Sequence, residues 1–486
     1  MLSFDASKKI PAFADSCCGR YPVPSLMGDK GMDHTELAPE SLPFLKWDLW
    51  SKWVLFLLVG YALVGRSFSY IGIPPAKLFI GDLTLAAFIF LRPRKIFDPW
   101  ILAITKGGPV SAFAWMLLIS IAYGIFEVIR GVLLGFSPLY ALQNLVFNVY
   151  PLFFFLGLWV GARRPELLLR YVQTFAVCLA IYAPLYMIVL DKVWILMPGS
   201  DGVPVFGQTG GGGLVILGLI CLDSKPARWW PAMVVAAAIF LAAQVRAEWL
   251  GTGVAILLWG VLSRKMSRVA MIAVGIFMVL AVGAILDVNI PAPSERGGAI
   301  SSQEIVARGL AAVSPDLARD VTGSDNVTFY KGTITWRERW WKAIWQNSND
   351  TYTNQFIGPG YGFVLRNLVN YHGDVRTPHN IFYYALGYSG WIGVVIFFAL
   401  QATCVSMLWR AYRLTGQAFG LSLWVATLIE AFFGNVMETP TGAIPLYLII
   451  GIIVGPTLGK VSRTEQLEHH YAADQSYESE LAYTTE

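Results

Sequence analysis

The sequence predicts an all-α polytopic membrane protein of about 12 transmembrane helices, with one large outer loop between helices 9 and 10. Three observations predict it. Of 486 residues, 56% are hydrophobic and only 14% charged, where an ordinary soluble domain carries nearer a quarter charged. The apolar residues gather into twelve runs, at or near the roughly 20 residues that a spanning helix needs. A single polar stretch, 287–378, separates the ninth run from the tenth.

Taken in order, the runs occupy roughly 50–65, 75–91, 111–130, 142–162, 167–189, 208–223, 229–246, 248–263, 269–286, 380–409, 415–434 and 441–459. Residues 1–46 precede them, mixing Pro, Gly and both charge signs without periodicity, as a disordered tail does; they contain no cleavable signal pattern. The organisation expected is therefore a cytoplasmic tail at 1–46, helices 1–9 within 47–286, the outer loop at 287–378, helices 10–12 within 379–460 and an acidic tail at 461–486.

Loop charge sets the orientation. With the N-terminus inside, the short inner loops hold fourteen Lys and Arg, among them Arg92, Arg94, Lys95, Arg163, Arg164, Arg264 and Lys265. The short outer loops hold five: Arg66, Lys77, Arg130, Lys192 and Arg246. Positive charge stays on the cytoplasmic side of membrane proteins, so both tails read as inside and 287–378 as outside. The net charge of +4 is dispersed between helices, which gives no basic patch for nucleic acid. No Cys or His cluster has metal-ligand spacing, and Cys178, Cys221 and Cys404 lie in apolar runs.

Six ionisable residues fall at membrane depth: Asp82, Glu127, Arg130, Arg246, Glu248 and Glu430. Arg246 and Glu430 each lie 17 residues beyond an inner-side marker, which is ~25 Å along a helix. Singly, each is equally an interfacial side chain reaching for headgroups, and Glu127 with Arg130 is an i,i+3 ion pair. Together, all six in the outer halves of their helices favour a polar cavity open to the outside.

The chemistry concentrates in the outer loop. Of five histidines, His34, His469 and His470 lie in the tails, leaving His372 and His379. Thr377 reads as an N-cap with Pro378 at N1, which places His379 in the first turn of helix 10. The positive end of a helix favours neutral imidazole, able to accept a proton, and its N–H groups suit an oxyanion. A structural hydrogen bond is the alternative. Upstream, Trp336, Trp340, Trp341 and Trp345 predict a helix lying flat on the outer leaflet with these rings as anchors. Arg337 within it has no acidic residue three or four positions away, and its planar fork suits phosphate or a lipid headgroup. Arg246 is a second anion ligand or a snorkelling side chain. Gly358-Pro359-Gly360-Tyr361-Gly362 reads as a turn.

These residues resemble a known family. Trp336-Arg337, the Gly358–Gly362 turn, and His379-Asn380 leading into a helix with Gly390 and Gly393 are similar to the pattern of the O-antigen ligase and polymerase superfamily, with Arg246 resembling the arginine before its long loop. Gln244-Val245-Arg246-Ala247-Glu248 departs from the Ser-Arg-Gly common in relatives. The resemblance implies a GT-C-like glycosyltransferase of the bacterial inner membrane, needing no cofactor or metal. Its donor would be an undecaprenyl-pyrophosphate-linked glycan and its acceptor a hydroxyl of a glycan, lipid A core or protein, with membrane lipids around it. It further implies that Arg246 and Arg337 hold pyrophosphate, that His379 assists the acceptor hydroxyl on the periplasmic side, and that Asn380 belongs to the substrate-binding set. Ligase is the expected activity and polymerase the alternative within the superfamily. A polysaccharide transporter or flippase is the alternative of another class, but the chain lacks the repeated halves expected of one. A cell-wall polymerase working through Asp374 or Glu338 is a further reading.

Overall fold

Each of the twelve apolar runs forms a helix, because a backbone leaving water must pair its own N–H and C=O groups. A computed structural model describes residues 47–74, 78–106, 108–193, 195–198, 200, 202–207, 211–243, 245–291, 299–310, 314–322, 327–369 and 377–457. The expected tails, with His34, His469 and His470, lie outside the described residues, as do His372 and Asp374. In chain order the helices are α1 (Leu49–Val64), α2 (Arg66–Ser69), α3 (Ile80–Leu91), α4 (Pro93–Lys106), α5 (Pro109–Leu133), α6 (Pro138–Val149), α7 (Phe153–Arg163), α8 (Leu167–Ile188), α9 (Gly212–Leu222), α10 (Trp230–Ala242), α11 (Arg246–Leu262) and α12 (Met266–Ile285). The long loop adds α13 (Ser302–Leu310), α14 (Pro315–Thr322), α15 (Val327–Ser348) and α16 (Tyr352–Ile357); α17 (Ile381–Thr415), α18 (Phe419–Phe433) and α19 (Pro440–Thr457) follow.

Among the described residues, six helices are long and apolar enough to cross a membrane unaided: α5, α6 continued through α7, α8, α12, α17 and α19. Length thus accounts for six of the twelve expected spans. The other runs form helices of 11 to 17 residues, about 16–25 Å long, short of a ~30 Å hydrocarbon core. They fall short of their runs: α9 starts only after Gly211, and α10 ends at Ala242, before Val245 in extended geometry opens α11. α12 shows what surrounds the bundle. Its only buried residue is Val269, while Phe277, Val279, Ile285 and Met271 are each more than 60% exposed. A helix apolar all round and left uncovered belongs in lipid.

One region expected as plain loop is helical, and the helix expected in the long loop turns its rings differently from the expectation. The segment expected as the first inner loop forms α4, with Ile96 buried and Trp100 Nε1 donating to the Ala114 carbonyl at 3.1 Å. In the long loop, α15 does not lie on the leaflet through its four tryptophans. Trp340 is fully buried and donates to the Leu365 carbonyl at 3.0 Å. Trp341 donates to the Pro378 carbonyl at 2.7 Å, and Trp336 and Trp341 are half-buried; Trp345 is the one left 44% exposed. The helix turns its rings inward because a protein core is there to take them. Trp340, Ile344, Tyr361, Leu365, Tyr384 and Tyr388 form one cluster that joins the loop to α17; truncating Trp340 should cost about 3–5 kcal/mol.

The 358–362 turn is locked into this junction. Gly358 has φ 70° and Gly390, which breaks α17, has φ 60°, a region open to glycine and costly for other residues. The two meet: a Cβ on Gly390 would lie 2.5 Å from the Phe356 carbonyl, and one on Gly358 would lie 2.5 Å from that of Tyr388. Arg130 clamps the turn from α5, donating to the carbonyls of Ile357 at 2.6 Å and Gly358 at 2.9 Å while paired with Glu127. From α6, Asn148 accepts from Tyr361 Oη at 2.6 Å and Asn144 from the Gly362 N–H at 3.0 Å. Glu127 and Arg130 are thus spent on architecture.

Candidate functional site

The site is built where the chain enters α17. The N-cap is Asn380, not Thr377. Its Oδ1 accepts from the N–H groups of Phe382 at 2.9 Å and Tyr383 at 3.2 Å, while its Nδ2 donates to the Phe432 carbonyl at 2.8 Å. An amide does both jobs at once, accepting at the helix start and donating to α18. Asn380, expected among the substrate-binding residues, is therefore held by the cap and by the tie to α18.

His379 accordingly sits before the cap rather than in the first turn. Its φ is +52°, a conformation that costs a residue with a Cβ roughly 1–2 kcal/mol. The surroundings hold it there: Trp341 bonds the preceding carbonyl, and Trp336 packs edge-to-face on the imidazole with ring centres 5.8 Å apart. Burial, together with the positive charges of Arg337 and Arg66, pushes His379 down to about 4. The sequence expects a neutral ring from a place inside the helix; here burial and two cations, not a helix turn, hold its pKa down.

Arg337 Nη1 donates to the Phe433 carbonyl at 2.9 Å, one residue beyond the carbonyl that Asn380 uses. The guanidinium also lies 5.7 Å from the Trp336 ring centre. α15, the His379 turn and the end of α18 thus meet at one point. Arg246 comes to that same end by another route. Gly251 of α11 packs on Ala426 of α18, and Tyr412 near the end of α17 bonds the Leu262 carbonyl, so α11 and α18 run antiparallel. Five residues back from Gly251, about 7 Å, Arg246 is roughly level with Glu430. It opens α11, half-buried, rather than ending the helix before it.

Two residues at this end were not singled out in the sequence. Arg66 opens α2 directly after Gly65 and contributes to the positive field on His379; its signal was only one outer-loop charge among five. Glu438 lies in the turn between α18 and α19, 7% exposed. Burial pushes its carboxyl well above the usual range, with the Thr377 hydroxyl offsetting only part. It lines a partly open cavity of about 140 Å³ together with Thr377. Asp82, by contrast, is a capping residue, its Oδ2 accepting from the Phe79 N–H at 3.1 Å. Chemically the site offers a neutral base within a cationic surround, at the mouth of a helix.

Residues 231–398 match a family model described as O-antigen ligase. The match takes in Arg246, Arg337, the 358–362 turn, His379, Asn380 and Gly390, and leaves out Arg66 and Glu438. No curated protein matches the chain.

Proposed function

The chain belongs to the O-antigen ligase superfamily, and from that premise we propose that it transfers a glycan from undecaprenyl pyrophosphate to an acceptor hydroxyl at the periplasmic face of the bacterial inner membrane. The observation carrying this reading is His379, kept neutral beside Arg337 and Arg66 at the head of α17. Neutral at working pH, the imidazole can take a proton from a hydroxyl, and an anionic leaving group held by the same cations offsets their charge as it does so.

In this reading Arg337 and Arg246 hold the pyrophosphate, and Arg66 adds to the field that stabilises its developing charge. The acceptor oxygen forms a bond to the anomeric carbon as the bond from that carbon to the pyrophosphate oxygen breaks. The acceptor proton passes to His379, and the electron pair leaves with the pyrophosphate. One displacement of this kind inverts the anomeric centre, and no covalent enzyme intermediate is required.

The test uses purified protein with a lipid-linked glycan donor and a hydroxyl acceptor. His379→Ala should lose at least 100-fold in transfer, in line with general-base catalysis, while donor binding stays near wild type. Wild-type turnover in that variant would overturn the base assignment. Glycan profiling of a loss-of-function strain separates the two activities: full-length chains left on the lipid carrier mean ligase, and single repeat units mean polymerase.

A further inference from the structure

The cavity beside the His379 turn has a composition that the transfer chemistry alone does not use. It is lined by Gln143, Asn144, Arg366, Thr377, Tyr388 and Glu438, among others. Apart from the Thr377 hydroxyl and its own backbone, no hydrogen-bond partner reaches the carboxyl oxygens of Glu438 among the described residues, although the side chain is more than nine-tenths buried. Buried polar groups are nearly always matched, and a buried acid without a partner is costly. The missing partner belongs in the cavity that Glu438 lines.

The lining says what that partner is. A phosphate would find a single guanidinium, Arg366, in the lining and no second positive charge to balance it. A hydrocarbon chain would leave the buried Glu438 carboxyl with no further partner. A metal ion would need more acidic, His or Cys ligands than one, and no group of three stands together among the described residues. A polyol fits: carboxyl and amide oxygens accept from its hydroxyls, the Arg366 guanidinium and the Gln143 amide donate to them, and Tyr388 offers a ring for the C–H face of a cyclic sugar. Size sets how it sits: about 140 Å³ is close to the roughly 150 Å³ that holds one benzene ring, so a hydroxylated six-membered ring enters with part of its edge in the cavity's opening. Thr377 is two residues from His379, which keeps the cavity wall within ~7 Å of the His379 backbone.

We propose that this cavity binds one sugar ring of a glycan whose reacting end lies at His379, with Glu438 hydrogen-bonded to the ring hydroxyls. The sugar is either that of the lipid-linked donor or that of the acceptor, and this choice rests on the glycosyl-transfer reading above. Glu438 lies outside the residues that match the family model.

Two measurements on the full-length protein test it. The first does not depend on turnover. Val364→Cys, at a half-buried lining position, is labelled with a maleimide in a background lacking the other cysteines. Methyl glycosides of glucose, galactose and N-acetylglucosamine at millimolar concentration should slow labelling at least threefold. Sorbitol and sugar-free undecaprenyl phosphate should not, and Glu438→Ala should abolish the protection. Equal labelling with and without every glycoside overturns the proposal. The second is steady-state transfer by Glu438→Gln, which keeps the side-chain volume. Loss of a carboxyl hydrogen bond should raise KM about tenfold or more for one glycan, with kcat nearly unchanged and melting no lower than wild type. A raised donor KM assigns the cavity to the donor sugar and a raised acceptor KM to the acceptor sugar. Unchanged KM for both, or a lowered melting temperature with unchanged KM, overturns it. If the wild type transfers no glycan, the function reading falls, while the labelling result still judges the cavity.

Discussion

Replacing Asn380 separates a residue that shapes the site from one that touches substrate. In Asn380→Ala the cap to Phe382 and Tyr383 is lost, worth about 1 kcal/mol. The Phe432 carbonyl also loses its donor, worth about 1–2 kcal/mol more. The sum is about 2–3 kcal/mol. Unfolding entropy of about 2 cal/mol/K per residue gives roughly 1 kcal/mol/K for 486 residues, so melting should fall by about 2–3 °C. Asn380→Asp keeps the capping oxygen and places negative charge at a helix start, but puts a carboxylate against the Phe432 carbonyl; it should melt between alanine and wild type. The assay is a thermal ramp in detergent with a thiol-reactive dye, reporting on Cys178, Cys221 and Cys404 as they are uncovered. Transfer should follow the same order, since a loosened cap releases the left-handed turn at His379. If Asn380→Ala melts like wild type yet loses donor binding, Asn380 contacts substrate and the capping argument is wrong. An aspartate variant no better than alanine would refute it as well.

Arg337→Lys should transfer nearly as poorly as Arg337→Ala, because lysine keeps the charge but not the fork, nor the geometry that meets the Phe433 carbonyl; full rescue by lysine would reduce Arg337 to a surface charge. With His379 pushed down to about 4, kcat/KM should stay flat from pH 8 to about 5 and fall below, and Arg337→Ala should move that fall to higher pH. Stability follows the same sign: the unfolded histidine takes its proton near 6.5, so stability is lost as pH falls from there toward 4, by at most about 3 kcal/mol. A fall in kcat/KM centred near 6.5 would contradict the buried setting. Cysteine at Ser301 should react with an impermeant thiol reagent in intact spheroplasts and cysteine at Ser267 should not; reversed labelling would invert the orientation inferred from loop charge.

Helix positions were readable because a run of apolar residues in lipid has few options besides a helix. Their lengths were less so, since residues such as Gly211 and Val245, where α9 and α11 begin, bound a helix without interrupting the apolar run. His379 and the arginines were legible from residue type and setting. The exact helix start was not: Thr377 and Asn380 are both good caps, and only the Phe432 carbonyl, contributed by a segment 52 residues away, decides between them. The tryptophans of α15 were misread for a related reason. Indole suits a lipid headgroup and a protein core equally, and nothing local to Trp340 records which one covers it. Glu438 falls between two apolar runs, where a lone acid is ordinary; what makes it unusual is the cavity shared with Thr377 and Arg366, which sequence distance conceals.

The contact between Gly358 and Gly390 bears on how this protein can be re-engineered. Long surface loops are often exchanged between relatives to move specificity from one scaffold to another. Here the loop's turn and the membrane helix interdigitate at backbone distance, with no side chain between them to absorb a mismatch. A chimera cut at the loop boundaries would pair a foreign turn with a native kink. The transplantable unit therefore runs from α15 past Gly393, so a graft that changes the loop must carry the head of α17 with it.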